Sequence, residues 1–182
     1  MHGAGSHAFR WFELRDAIVS DAAALADVKA ASWRAAYADI LPAAFLAALD
    51  VVASEERLRA RIAAADASQF TLVACAGHRS LGLVSGGPVR DEPRGAGGEV
   101  YAIYVAPELC GRGLGRALLG AAEARLATAG FSQATLWVFI RNRAARRFYE
   151  RRGWLLKPRR AYWQRNGLRR QLACYGKPVA PA

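Results

Sequence analysis

The stretch "ELCGRGLGRALL", residues 108–119, decides the fold because it joins a strand to a helix through closely spaced glycines. Three glycines stand at alternate positions from Gly111 to Gly115, and Arg112 and Arg116 add positive charge. The first N–H groups of a helix lack acceptors within the helix, and the helix dipole favours negative charge at the same end. A tight turn needs only one glycine, so this spacing predicts a loop whose backbone binds an anion.

Two common phosphate-binding patterns do not fit this loop. The Walker pattern requires a lysine directly after its second glycine, whereas Ala121 follows Gly120 here. The dinucleotide pattern GxGxxG, counted from Gly113, requires a third glycine where Leu118 stands. The loop is therefore interpreted as a strand, a glycine turn and a helix that bind an anion in another way.

The sequence on both sides of the loop predicts a mixed α/β fold. The run "EVYAIYVA", residues 99–106, is apolar on both faces and predicts a central strand, and "ATLWVFI", residues 134–140, predicts a second buried strand. Apolar runs on either side of the turn "GHRS" predict a hairpin. "FRWFELRDA" predicts a first strand, and "WLLKPRRAYWQ" with "LRRQLACYG" predicts a closing antiparallel pair.

Start and stop signals place helices between these strands. The helix after the glycine loop is predicted from about Leu114 to Thr128. The other predicted helices are one from a Ser20 or Asp21 cap through Ile40, a short one opened by Pro42, one capped by Ser54, and one that starts at Asn142 and is ended by Gly153.

The composition of the 182 residues is typical of a globular chain, with 53% hydrophobic and 23% charged side chains. We expect a single domain over residues 10–182 and a flexible tail over residues 1–9. The chain contains no apolar run of the roughly 18 residues that a membrane span needs, and its N-terminus lacks the apolar core of a signal peptide. The three cysteines lie far apart without CxxC spacing, which predicts reduced thiols in a cytoplasmic protein and no metal site.

Positive charge is concentrated in the second part of the chain. The net charge is +11, but residues 1–111 carry 10 basic and 13 acidic side chains, whereas residues 112–182 carry 16 basic and 2 acidic ones. A field of this sign indicates a polyanionic cofactor or nucleic acid, and the alternative is a solvated arginine-rich surface.

Two blocks of sequence together resemble the GCN5-related N-acetyltransferases. The block "YVAPELCGRGLGRALL" is similar to the family's loop, which has Gln or Arg, two residues, Gly, one residue, then Gly or Ala. The block "LWVFIRNRAARRFYERRGW" is similar to its later signature, and together the blocks cover residues 99–154. Cys110 departs from the pattern because it stands where the family has Gln or Arg. The matching residues of the second block are Asn142, Ala145, Phe148, Tyr149, Glu150, Gly153 and Trp154.

The resemblance implies a fold and a cosubstrate. The expected fold is a mixed, mostly antiparallel sheet of six to seven strands, flanked by about four helices, with a splayed central strand pair. The expected anion is the diphosphate of acetyl-CoA, bound by the amides of the loop, with the pantetheine arm along the central strand. The residues that the resemblance assigns to this binding are Ile103, Tyr104, Val105, Cys110, Gly111, Arg112, Gly113, Leu114, Gly115, Arg116, Asn142, Ala145 and Phe148.

The resemblance also implies catalytic roles. Acetyl transfer to an amine needs a base for the amine, a donor for the developing oxyanion and an acid for the thiolate. In the family that the chain resembles, the acid is a tyrosine that corresponds to Tyr149 here, and the oxyanion donor is a backbone N–H near Ile103. Glu99 is the candidate base, because its even spacing from Ile103 predicts that both lie on the same strand face. The alternative for Glu99 is a solvated residue at a strand end.

The acceptor is expected to be the primary amine of a small molecule, although a protein N-terminus or lysine stays open. Trp33 and Tyr37 are four residues apart on one helix face and are candidate substrate contacts, with core packing as the alternative. Two other functions remain at this point: an RNA- or ribosome-associated basic protein, and a non-catalytic acetyl-CoA-binding domain. Homodimers are common among the enzymes that this chain resembles, and a homodimer therefore stays open as an alternative to a monomer.

Overall fold

The strands of the chain form one twisted sheet with helices on both faces, in a computed structural model that describes residues 11–66, 68–90 and 97–179. The sheet order is β1-β2-β3-β4-β5-β7-β6. The predicted tail over residues 1–9 lies outside the described residues. The elements are β1 (Glu13–Asp16), α1 (Ala22–Ala36), α2 (Ala43–Ala47), α3 (Val51–Ala63), β2 (Phe70–Ala76), β3 (Arg79–Pro88), β4 (Gly98–Val105), α4 (Leu114–Thr128), β5 (Gln133–Phe139), α5 (Arg143–Glu150), β6 (Leu155–Arg165) and β7 (Leu168–Pro178).

The predicted central strand, β4, is the fourth of the seven strands and separates from its neighbour after three residue pairs. It runs antiparallel to β3 along its whole length but pairs with β5, in parallel, only from Gly98 to Val100. On its other side β5 is antiparallel to β7, and β7 to β6. The predicted fold class, including the splayed central pair, is therefore confirmed, and the sheet opens a gap beyond Val100.

Apolar side chains pack on both faces of the sheet. On one face α1 and α3 pack over β2 and β3, with Leu25, Val73 and Leu83 almost completely buried. On the other face α4 packs across the sheet, with Leu118 and Leu126 fully buried. Each such side chain contributes about 1.5–3 kcal/mol by leaving water. The strands on either side of the gap are thus held independently of any ligand.

The third helix begins earlier than the sequence predicted. Asp50, not Ser54, is its N-cap, because the Asp50 Oδ1 accepts the backbone N–H of Ala53 at 2.8 Å. A carboxylate placed before the first turn satisfies an amide that otherwise has no acceptor. Ser54 lies inside the helix instead, buried, and its hydroxyl accepts a hydrogen bond from the Lys29 Nζ at 2.9 Å.

The first helix ends earlier than predicted, at Ala36 rather than Ile40. The chain turns over residues 37–40, and the amides of Ile40 and Leu41 both donate to the Tyr37 carbonyl. Pro42 disfavours helical geometry in the residue before it, and the turn buries Ile40 and Leu41 in an apolar cluster below α1. This turn leaves the C-terminal end of α1 open toward the gap.

Candidate functional site

A cavity of about 850 Å³ passes through the gap between β4 and β5. Its walls are β4 and β5, and it extends from the glycine loop and α5 at one end to the C-terminal end of α1 at the other. Cavities that hold small ligands fall in this size range. The gap therefore provides one continuous space in which a cosubstrate and an acceptor can meet.

The glycine loop presents free backbone donors to this cavity. Gly111 and Gly113 have φ angles of +83° and +87°, a conformation that residues with a Cβ rarely adopt. In the described part of the chain, the amides of Gly111 and of residues 113–116 have no backbone acceptor, whereas the Arg112 amide donates to the Leu109 carbonyl at 3.3 Å. The N-terminus of α4 therefore offers a set of N–H groups suited to an anion, with the Arg112 amide already engaged.

Arginine side chains surround the loop end of the cavity. Arg116, Arg151 and Arg152 line it, and the buried Nε of Arg152 has no hydrogen-bond partner among the described residues. Such a buried donor is available to an oxygen of an anion that binds at the loop. Arg112 and Leu114, which the sequence also assigned to this site, are not cavity-lining, since Arg112 points to solvent and Leu114 is fully buried in the core.

The Cys110 side chain lines the cavity where the resemblance has a longer polar side chain. Partial burial, and then the nearby Glu108 carboxylate, raise the pKa of the Cys110 thiol. The thiol is therefore protonated near neutral pH and supplies no charge to the loop.

Beyond the point where β5 leaves, the backbone of β4 faces the gap. The Ala106 amide donates to the Leu81 carbonyl at 2.9 Å, and hydrogen bonding alternates along an antiparallel pair. The same alternation turns the N–H and C=O groups of Ile103 and Val105 away from β3. These groups lie along the cavity as a free strand edge.

The helix α5 forms the opposite wall of the gap. Asn142 caps it, with its Oδ1 accepting the Ala145 amide at 3.1 Å, and this cap positions the cavity-lining side chains of Phe148 and Tyr149. The Tyr149 ring is 7% exposed and packs against Phe148 and Trp154. Burial, and then the nearby Tyr104, raise the pKa of the Tyr149 hydroxyl well above its ordinary value. The hydroxyl thus keeps its proton at any physiological pH.

Glu99 is buried and ion-paired rather than solvated. Its side chain is 2% exposed and binds the guanidinium of Arg90, and its Oε2 also accepts the Arg90 amide at 3.2 Å. The Arg90 guanidinium in turn lies 4.6 Å from the centre of the Tyr101 ring. Arg90 and Tyr101 line the cavity, whereas Glu99 lies behind them.

The prediction that Glu99 and Ile103 share one strand face is wrong. The register shifts between Ser85 and Gly86, so that β4 has one extra residue between Val100 and Ala102. Such a bulge changes the alternation of side chains beyond it. As a result Val100 and Ile103 pack in the same apolar cluster, while Glu99 is held by Arg90 outside that cluster.

Trp33 and Tyr37 take part in core packing, as one alternative from the sequence had it, and their role as substrate contacts stays a prediction. Both side chains line the cavity and both pack against an apolar cluster. Their rings are 5.0 Å apart in an edge-to-face pair, and Trp33 also lies 6.1 Å from Trp163. The Tyr37 ring contacts Phe139 at 4.9 Å. The end of the cavity away from the glycine loop is therefore an aromatic wall.

Several residues of this site were missed by the sequence reasoning. Arg90, Tyr101, Phe139 and Trp163 line the cavity, but none of them was assigned to the site from the sequence. The alternation of "AYWQR" in β6 places Tyr162 and Trp163 on opposite faces of the strand but does not indicate which of the two aromatic side chains faces the cavity. Arg90 gives no signal either, because it follows β3 at the edge of a loop.

Two other features are absent from the described residues. No group of three or more histidine, cysteine or carboxylate side chains is placed to hold a metal ion within residues 11–66, 68–90 and 97–179. Over the same residues, none of the helices combines the length and the apolar character needed to cross a bilayer.

Sequence comparison with known proteins shows which family the chain belongs to. The sequence profile described as the acetyltransferase (GNAT) family matches residues 31–154. The chain is 35% identical over 130 residues to the uncharacterised N-acetyltransferase YuaI of Bacillus subtilis, covering 71% of this chain and 72% of that protein.

Solved structures show the same fold at low sequence identity. The PaiA N-acetyltransferase of Thermoplasma acidophilum, in complex with coenzyme A, has a TM-score of 0.73 at 20% identity over 92% of this chain and 98% of its own. YncA of Salmonella typhimurium, with its cofactor acetyl-CoA, has a TM-score of 0.69 at 20% identity over 95% and 96%. With a family match over more than half its length and a cavity of the required form, the chain belongs to the acetyltransferase (GNAT) family and is an acetyl-CoA-dependent N-acetyltransferase.

Proposed function

We propose that the protein transfers the acetyl group of acetyl-CoA directly to the primary amine of a small molecule while both are bound. The observation that carries this proposal is the form of the cavity. Free amides and arginines lie at one end, an aromatic wall lies at the other, and the Tyr149 side chain lines the same space. A ternary complex requires only that the two ligands enter from opposite ends.

The loop end has the donors that a diphosphate needs. The amides of Gly111 and of residues 113–116 are free, and helix N-termini with such amides bind phosphate groups. Arg116 and Arg152 add two guanidinium groups, which bind phosphate oxygens in a bidentate geometry. We place the diphosphate of acetyl-CoA at this loop, and the pantetheine arm along the free strand edge of Ile103 and Val105.

The reaction forms a bond between the amine nitrogen and the acetyl carbon and breaks the bond between that carbon and sulfur. Negative charge develops first on the carbonyl oxygen, and we assign its stabilisation to the Ile103 N–H, which faces the gap. The leaving thiolate then needs a proton, which we assign to the Tyr149 hydroxyl. Tyr149 lines the cavity and its raised pKa keeps the hydroxyl protonated, and this role rests on the position of the hydroxyl rather than on its acidity.

The amine must lose a proton before or during attack, and we retain Glu99 as the base. It is a buried carboxylate directly behind the acceptor half of β4. Its ion pair with Arg90 sets a condition on this role. The Glu99 carboxylate is bound by the half-exposed Arg90 side chain. For Glu99 to take the proton of the amine, Arg90 has to release one carboxylate oxygen, or a water molecule has to carry the proton past Arg90.

The aromatic wall supports a small acceptor. Trp33, Tyr37, Phe139 and Trp163 enclose the acceptor end, which suits a compact molecule with an apolar part. We further propose a cytoplasmic setting, because Cys75, Cys110 and Cys174 are all free thiols.

Thiol release from acetyl-CoA, measured over a panel of amines, tests the proposed function. We expect amine-dependent release that is lost in Tyr149→Phe while coenzyme A still binds. If no small amine accelerates release in the wild-type protein and a peptide does, the small-molecule acceptor is refuted. If no amine of either kind does so, the catalytic proposal itself is refuted.

A further inference from the structure

A second, much smaller cavity adjoins the acceptor end of the first. Its volume is about 30 Å³, and it lies between α1, the start of α3 and the end of β6. One side chain, that of Trp33, lines both cavities. The polar residues that line the small cavity are Lys29, Asp50, Ser54, Arg57 and Arg165.

The small cavity has an excess of positive charge. Lys29, Arg57 and Arg165 face it from three different elements, and they form no ion pair with the carboxylates of the described residues. Asp50 is the single acidic residue in its lining, and one oxygen of Asp50 already accepts the N-capping bond of α3. A bound anion would relieve the repulsion among these three cations, of which Arg57 and Arg165 are exposed to solvent and Lys29 is partly buried.

The pKa of Lys29 reflects its burial first and this charge imbalance second. Burial, and then repulsion from Arg57, Arg61 and Arg165, lower the pKa of Lys29 to about 8. Its Nζ donates to the Ser54 hydroxyl, a neutral partner that does not compensate the charge. A bound anion would have the opposite effect on the pKa, because it stabilises the protonated amine.

Two elements connect the small cavity with the acceptor end. On α1, Lys29 is one helical turn before Trp33, so both side chains lie on the same face. On β6, Arg165 is two residues after Trp163, which again places both on one face. The rings of Trp33 and Trp163 are 6.1 Å apart, so the aromatic wall of the reaction gap continues along the same two elements that carry Lys29 and Arg165.

We propose that the acceptor is an amine that also carries a carboxylate, with the carboxylate bound by Lys29, Arg57 and Arg165 and an apolar middle part lying along Trp33 and Trp163. This inference rests on the proposed function, since it names the class of acceptor for the same site. The cavity has room for about two water molecules, which is the space that two carboxylate oxygens occupy. Polycationic amines such as polyamines are excluded as preferred acceptors, because their second charge would meet three cations.

Matched pairs of amines test this proposal. The pairs are 4-aminobutyrate with butylamine, 6-aminohexanoate with hexylamine, and 8-aminooctanoate with octylamine, with thiol release from acetyl-CoA as the readout. We expect at least one amino carboxylate to have a KM about tenfold or more below that of its neutral partner, with a similar kcat.

Two variants and a control locate the effect. Lys29→Met and Arg57→Met should each raise the KM for the preferred amino carboxylate about tenfold and leave the KM for its neutral partner unchanged. Arg59→Met is the control, since Arg59 lies on the same helix but pairs with Glu55 away from the cavity. Above pH 8 the ratio of the wild-type KM for the amino carboxylate to that for its neutral partner should rise, because Lys29 loses its proton there while both amines titrate alike.

The outcomes separate this inference from the proposed function. Turnover with equal KM values for charged and neutral partners overturns the carboxylate site and leaves the acetyltransferase intact. Absence of turnover with every amine counts against the proposed function, and the site is then decided by NMR titration of the Lys29 Nζ with 6-aminohexanoate. An upward shift of the Lys29 pKa, not produced by hexylamine, supports the site, and an unchanged pKa overturns it.

Discussion

A methyl group added to the glycine loop tests whether its backbone shape serves cosubstrate binding. Gly113→Ala places a Cβ where φ is +87°, yet the added atom meets nothing within 4 Å. Gly115→Ala, two residues later, adds the same atom inside the first turn of α4, with the nearest contact at 3.6 Å from the Phe148 Cζ. The first change introduces backbone strain without a clash, and the second introduces neither.

The size of the expected effect follows from the left-handed conformation. An L residue in this region costs about 1–2 kcal/mol relative to glycine. If the loop keeps its shape, the whole amount lowers the free energy of unfolding, which shifts Tm by about 2–4 °C per kcal/mol in a chain of this size. If the free loop relaxes instead, binding has to restore it, and the Kd for coenzyme A rises by up to roughly 5- to 30-fold.

The loss of unfolding free energy and the loss of coenzyme A affinity therefore add up to a fixed total, whatever the share of each. For Gly113→Ala, the loss of unfolding free energy measured at saturating coenzyme A should be about 1–2 kcal/mol, combining stability and affinity. For Gly115→Ala it should be near zero, or a gain of up to about 1 kcal/mol from the better helix former. Chemical denaturation with and without coenzyme A, together with calorimetric titration, gives both quantities.

Equal behaviour of the two variants would refute the reasoning. A combined loss below about 0.5 kcal/mol for Gly113→Ala would show that the positive φ is not needed in the bound state. A large affinity loss for Gly115→Ala would show that space around Phe148, rather than backbone shape, limits binding.

Three further predictions concern catalysis and stability. Tyr149→Phe should lower kcat about 10²- to 10⁴-fold and leave the Kd for coenzyme A within about twofold; an unchanged kcat would remove Tyr149 as the acid. Because its pKa is raised, the wild-type pH–rate profile should show no loss of this acid between neutral pH and pH 10. Glu99→Gln should lower turnover mainly at the acid end of the profile, and an identical profile would exclude Glu99 as the base. Asp50→Ala should lower the free energy of unfolding by about 1 kcal/mol through the lost cap, measured by urea denaturation, and no loss would contradict the assignment of that cap.

Local sequence signals were sufficient wherever one short segment determines its own structure. The loop and α4 are predicted to the residue, since glycine placement and the buried face of Leu118 and Leu126 both act within a few turns. The last hairpin is likewise local, because Asn166 and Gly167 adopt the positive φ angles that its tight turn requires.

Errors arose where distant contacts decide the outcome. The bulge in β4 depends on its register with β3, and no residue in β4 signals it, so the faces of Glu99 and Ile103 were misassigned. The cap of α3 was misplaced because both Asp50 and Ser54 are capable caps, and only the packing of Ser54 against Lys29 separates them.

Only part of the acceptor end, Trp33 and Tyr37, was named from the sequence. Trp33, Phe139 and Trp163 come from three elements that meet only in the folded chain. The same holds for Lys29 and Arg165, which are far apart along the chain but line one small cavity. Side chains that lack a shared local motif can be assembled into a site only after the fold is known.

Amide hydrogen exchange at the N-terminus of α4 tests the binding of the diphosphate most directly. The amides of residues 113–116 have no backbone acceptor in the described chain, so they should exchange rapidly in the free protein. We expect coenzyme A to slow the exchange of these amides strongly. Pantetheine, which lacks the diphosphate, should leave their exchange unchanged. Binding of coenzyme A with no protection at residues 113–116 would contradict the assignment of this loop.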